Sequence, residues 1–146
     1  MNTPKKQIKG LMMISFFVEG LPAPQGSKTA KCINGRAVMW ETSKNVKQWR
    51  DTVTAQAQIE MIAYNLQTIE TPVELHLAFY LPKPKSVDRK FPSVKPDLDK
   101  LVRSTCDALT KSGIYKDDAL VCWLFAHKQY AHDKVGVLVG ISEIDV

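Results

Sequence analysis

Cysteine, histidine and aromatic side chains are scarce in this chain, and their scarcity closes off several kinds of chemistry. The three cysteines, Cys32, Cys106 and Cys122, are widely spaced and include no C-x-x-C pair. An odd, scattered set builds neither a disulfide framework nor a zinc site, so these residues are expected to be reduced and buried as small apolar groups. His76, His127 and His132 show no ligand spacing and are assigned no catalytic role. A G-x-x-x-x-G-K-[ST] phosphate loop is missing, and Ser27-Lys28 mimics no more than part of one. Aromatic residues make up 8% of the chain, and Trp40, Trp49 and Trp123 each fall in a strand or helix pattern that predicts a core position rather than base stacking.

Long apolar runs are missing as well. Residues 11–18, which follow Lys5, Lys6 and Lys9, fall short of the roughly 18 residues a membrane span needs. Glu19-Gly20-Leu21-Pro22 comes next instead of a small-residue cleavage site, so the run reads as a buried first strand of a soluble, cytoplasmic protein with no membrane partner. No repeat or change of composition divides the chain, which predicts a single domain over residues 1–146. A hydrophobic fraction of 45% excludes disorder. Acids are outnumbered by bases, 15 to 20, and the net charge of +5 favours an anionic partner.

What is present predicts an order of elements. Residues 20–28, rich in Pro and Gly, form a loop. Asn34-Gly35, between Lys31-Cys32-Ile33 and Arg36-Ala37-Val38-Met39-Trp40, marks a tight hairpin. Thr42 or Ser43 caps a helix with Val46, Trp49, Val53, Ala57, Met61 and Ile62 on one face and Lys44, Lys47, Arg50, Asp51 and Glu60 on the other, ending by Asn65. Residues 73–81 alternate as a strand with one face in the core. Residues 82–96 hold four prolines and five bases, Lys83, Lys85, Arg89, Lys90 and Lys95, against the single acid Asp88. This composition predicts an exposed, mobile loop. A second helix starts near Asp97, packs through Leu98, Leu101, Val102, Thr105, Cys106 and Leu109, and ends about residues 111–113. Strands over 119–130 and 135–144, joined by a turn at His132-Asp133, complete an α+β domain with two helices against one mixed sheet.

Four carboxylates crowd the second half: Asp97 and Asp99 in Lys95-Pro96-Asp97-Leu98-Asp99-Lys100, and the adjacent pair Asp117-Asp118. Two readings are open. The acids are solvated charges at a helix mouth and a turn, or they hold a divalent cation between them. Hard oxygen ligands suit magnesium or manganese, whose chemistry fits hydrolysis of a nucleic-acid backbone. Asp99, Arg103 and Asp107 lie four residues apart on one helical face. They form either a chain of surface ion pairs or a setting in which Arg103 stabilises charge near a scissile phosphate.

Residues 95–121 resemble the RusA family of Holliday junction resolvases, small endodeoxyribonucleases of bacteria and their phages. The likeness is carried by Lys95-Pro96-Asp97-Leu98-Asp99-Lys100-Leu101, Asp107-Ala108-Leu109-Thr110-Lys111-Ser112-Gly113-Ile114-Tyr115 and Lys116-Asp117-Asp118-Ala119-Leu120-Val121. It implies a homodimer that binds four-way DNA junctions and nicks two strands symmetrically with Mg2+ or Mn2+, in recombination and repair, with no small-molecule cofactor. Asp97 and Asp99 match the family's first two catalytic aspartates and Asp118 its third, while Asp117 is a helper or a turn residue. Arg103 stands where the family has a catalytic lysine. Lys100 stands where asparagine is common, and either pairs with the carboxylate beside it or contacts phosphate. Lys83, Lys85, Arg89, Lys90 and Lys95, with Lys44, Lys47 and Arg50 of the first helix, are candidates for contacts to the DNA backbone. The alternatives are a nuclease for flaps or forks and a DNA-binding protein that has lost catalysis.

Overall fold

The computed structural model describes residues 13–26, 28–41 and 45–145. Lys5, Lys6, Lys9, the first two residues of the 11–18 run, Ser27, Thr42, Ser43 and Lys44 lie outside them, as do the side chains of Cys32 and Trp40. The elements follow in the order β1 (Met13–Glu19), β2 (Lys28–Ile33), β3 (Arg36–Glu41), α1 (Val46–Ala63), β4 (Val73–Leu81), α2 (Leu98–Ser112), β5 (Val121–Tyr130) and β6 (Gly136–Glu143). Strands β2 and β3 pair as a separate hairpin, and the other four form one mixed sheet in the order β1-β6-β4-β5.

Local chemistry accounts for several of these boundaries. The β2–β3 turn holds Asn34 at φ 52° and Gly35 at φ 76°. Both lie in the left-handed region that a two-residue hairpin needs and that Asn-Gly tolerates. Helix α2 stops at Gly113, whose φ of 84° lets its N–H return to the Thr110 carbonyl at 3.1 Å. The N-cap position of α1 falls at Asn45, with no side-chain cap bond.

One core joins the sheet and both helices. Period-two alternation turns Ile14, Phe16 and Val18 of β1 inward with Leu75, Leu77 and Phe79 of β4 and Val137, Val139 and Ile141 of β6. Trp49 and Val53 of α1 and Leu101 and Leu109 of α2 complete it. The Trp49 indole Nε1 donates to Thr105 Oγ1 at 3.1 Å, and Thr54 Oγ1 donates to the Ala108 carbonyl at 3.0 Å, so polar bonds lock α1 to α2.

Strand pairing was not legible in the sequence. Strands β4 and β5 run parallel, with α2 as the crossover that such a pair requires. Strand β6 is not a hairpin partner of β5. It inserts between β1 and β4, antiparallel to both. Residues 119 and 120, expected in the last-but-one strand, belong instead to a short 3-10 turn, Asp118–Leu120, that brings the chain into β5.

Three expected core positions are exposed. Ile62 is 80% exposed because it lies about 140° around α1 from Ala57, whereas Met61 continues the buried stripe. Trp123 is 54% exposed, and Cys122 is exposed beside it. Both sit on β5, which among the described residues is an edge strand flanked by β4 alone.

Candidate active site

Asp97 occupies the N-cap position of α2. Its backbone carbonyl accepts from the N–H groups of Lys100 and Leu101 at 3.2 and 3.1 Å, but its side chain makes no capping bond. Capping therefore does not explain this carboxylate. Its ion-pair partner is Lys100, with Nζ 3.8 Å from Oδ2 across two half-exposed side chains. Such a pair contributes roughly 0–1 kcal/mol. The i,i+3 spacing on the helix explains why Lys100 leans on Asp97 rather than on its neighbour Asp99.

Asp99, Asp117 and Asp118 are exposed, and their carboxylates form no hydrogen bond or ion pair among the described residues. Asp118 opens the 3-10 turn that lies against α2. Its position there is registered by its neighbours. Burial pushes the Cys106 thiol up to about 11, with the negative charges of Asp118 and Asp107 adding to the rise. The Tyr115 hydroxyl is also raised, first by burial, next by Cys106 and least by Asp118.

Asp99, Arg103 and Cys106 follow at i, i+4 and i+7, so they share one flank of α2. The turn that carries Asp118 packs against α2, and its charge is felt at Cys106, about two helical turns from Asp99 with Arg103 between them on the helix. Arg103 is exposed and makes no ion pair with Asp99 or Asp107 among the described residues, so the surface ladder of pairs is not formed. Nor do any three His, Cys, Asp or Glu side chains among the described residues come close enough together to hold a metal ion. The donor chemistry nonetheless fits a hard divalent cation: three exposed carboxylates, none taken up by a cap.

The basic loop over residues 82–96 is exposed, as expected, and its path is tied down. Arg89 Nε donates to the Tyr130 hydroxyl at 2.9 Å, and Lys83 Nζ lies 5.6 Å from the centre of the same ring. Lys128 Nζ donates to the carbonyls of Val94 and Pro96, each at 2.8 Å. The last bond fixes the residue next to Asp97, and nothing in the sequence marked Lys128 for that task. Lys85, Lys90 and Lys95 are exposed. On α1, Lys47 pairs with Asp51 at 2.8 Å and Arg50 donates to Gln25.

A cavity of about 640 Å3 opens beside Asp97. One wall is the loop of Leu21, Pro22, Ala23 and Pro24, and the other is Lys95, Pro96 and Lys100, with Asn45 at the start of α1 also lining it. The loop is held to α2 by Gln25 N–H donating to the Lys100 carbonyl at 3.0 Å and by Ser104 Oγ donating to the Ala23 carbonyl at 2.6 Å. The Pro- and Gly-rich composition of residues 20–28 predicts only a loop; no local pattern says that it folds back onto the mouth of α2.

Exposed acids at a helix mouth, with lysines beside them and a basic loop in front, are the groups that a phosphodiester backbone would meet. Residues 19–142 match the family model Endodeoxyribonuclease RusA, and the chain belongs to that family. It is 33% identical over 141 residues to Uncharacterized protein YqaN of Bacillus subtilis (strain 168), covering 86% of this chain and 94% of the relative. It is also 26% identical over 132 residues to Crossover junction endodeoxyribonuclease rusA of Lactococcus phage r1t, covering 88% and 95%. No helix among the described residues is long and apolar enough to cross a membrane.

Proposed function

We propose that this chain is a divalent-metal-dependent nuclease that resolves four-way DNA junctions by paired nicks, with a role in recombination and repair. The observation that carries the reading is the exposed set Asp97 and Asp99 at the mouth of α2 and Asp118 on the 3-10 turn that packs against it, in a chain of the RusA endodeoxyribonuclease family. A magnesium or manganese ion bound there would activate a water and offset charge on the phosphodiester. Asp97, Asp99 and Asp118 would hold the ion, and Asp117 would assist or shape the turn. Lys100 must release Asp97 for this, at small cost for so exposed a pair. Arg103 lies between the carboxylates and neutralises phosphate charge. Lys83, Lys85, Arg89, Lys90 and Lys95 give the loop its attraction for DNA, largely independent of sequence.

Paired nicks need two active sites, and a two-fold dimer supplies them. The surface suited to a second copy is the free edge of β5, where Trp123, Leu124 and Phe125 are 54%, 48% and 55% exposed. A long apolar edge strand left open in water invites pairing.

The spread of the carboxylates and the Lys100–Asp97 pair favour a second reading, a junction-binding protein without catalysis. One assay separates the two: four-way junctions, flaps and linear duplex incubated with magnesium, manganese or chelator, with nicks mapped on denaturing gels. Symmetric, metal-dependent nicks confined to junctions are expected. Preferential flap cutting would sink the proposal, and tight junction binding without nicks in either metal would establish the second reading. Asp97→Asn is expected to abolish nicking while retaining junction binding; unchanged cutting would remove Asp97 from the site.

A further inference from the structure

Among the described residues Asp97 is the one carboxylate lining the cavity beside it, so most of this space lies outside the proposed metal-binding set. Leu21, Pro22, Pro24 and Pro96 make its walls apolar, Lys95 and Lys100 place two ammonium groups on it, and the Asn45 amide offers both a donor and an acceptor. A ligand matching this surface has a flat, weakly polar body, an edge that hydrogen-bonds, and an anionic group at one side. A nucleotide unit of a DNA strand has all three. The volume, about 640 Å3, lies within the range of sites that enclose small ligands.

Both walls are pinned before any ligand arrives. Gln25 and Ser104 tie the Leu21–Pro24 segment to α2, and Lys128 holds the Pro96 carbonyl. A preformed pocket loses little freedom on binding. Resting on the nuclease reading above, we infer that this cavity seats one nucleoside next to the phosphate being cut. The base lies between the proline and leucine side chains, as in other pockets where apolar side chains sandwich an unstacked base. Its phosphate faces Lys95 and Lys100, and the Asn45 amide reads the base edge. The cavity then couples the choice of base to the position of the cut.

The test uses the full chain and synthetic four-way junctions with chelator present, so that it does not depend on cleavage. 4-Thiothymidine is placed at each position around the crossover in turn, irradiated, and the attached peptide mapped. Attachment to residues 21–24 or to Asn45 from one position only is expected. Junction binding with no attachment to these residues overturns the seat alone, whereas loss of junction binding altogether overturns the nuclease reading as well. In a second measurement, junctions differing only in the base at that position compete for the protein. Wild type is expected to favour one base, and Asn45→Ala to reduce the ratio of best to worst base about 10-fold, the scale of one good amide-to-base contact. Asn45 and Leu21 are exposed, so Asn45→Ala and Leu21→Ala keep the fold. An unchanged ratio in both variants, or a wild type indifferent to the base, overturns the inference.

Discussion

Arg103 decides how the proposed site handles charge. A guanidinium stays protonated throughout the working pH range, so it can neutralise a phosphate but cannot pass a proton. Its side chain is exposed between Asp99 and the Asp118 turn, with no ion pair to either neighbouring helix acid. Arg103→Lys, which keeps the charge, is expected to cut junctions within about threefold of wild type. Arg103→Gln is expected to lose about 100-fold or more in single-turnover rate, the usual scale for removing a group aimed at developing charge. A gain of more than tenfold in Arg103→Lys would instead mark the position as a proton carrier.

Helices α1 and α2 make a unit whose polar joints are testable. Trp49 is fully buried, and its indole N–H has Thr105 Oγ1 as its partner. Thr105→Val keeps the volume and removes the acceptor, so it should cost about 1–3 kcal/mol. Urea unfolding should show a lower midpoint with an unchanged slope. Cys106 on the same helix adds a pH dependence. Burial raises its thiol to about 11 from an ordinary 9.0, so on an alkaline titration the unfolded chain gives up this proton before the folded one. The stability from the neutral thiol is therefore complete below about pH 9 and is lost as pH rises toward 11. Tyr115 is raised in the same direction and steepens the loss at the upper end. Cys106→Ala should flatten the fall in melting temperature between pH 9 and 10.5.

For the molecule as a whole, the helices cover one face of the sheet and leave the other to solvent. Met13, Leu138 and Phe125 lie exposed there, with His76 stacked on Phe125 at 4.8 Å between ring centres. This face and the β5 edge are where a second copy would be held. Light scattering at micromolar concentration should give twice the monomer mass. Trp123→Glu, which places a charge on the edge, should give a monomer that makes single, unpaired nicks. A monomeric wild type, or a Trp123→Glu dimer, would put the interface elsewhere.

Much of this protein is written in local chemistry. Asn34-Gly35 sets a hairpin turn because both residues accept positive φ, and Gly113 ends α2 for a related reason. Alternation over residues 73–81 and the 101-105-109 stripe give β4 and α2 their inner faces, because side-chain direction follows backbone period. The acidic positions could be read in the same way, since the family likeness lies in one continuous stretch. Tertiary structure alone decided the rest. That β6 enters between β1 and β4, leaving β5 at the edge with Trp123 in water, depends on contacts between residues far apart in the chain. The same holds for the hold of Lys128 on Pro96 and the folding of the 21–24 loop against the mouth of α2. A sequence displays the chemical character of each group one position at a time; which groups face each other across space is set by how the whole core packs.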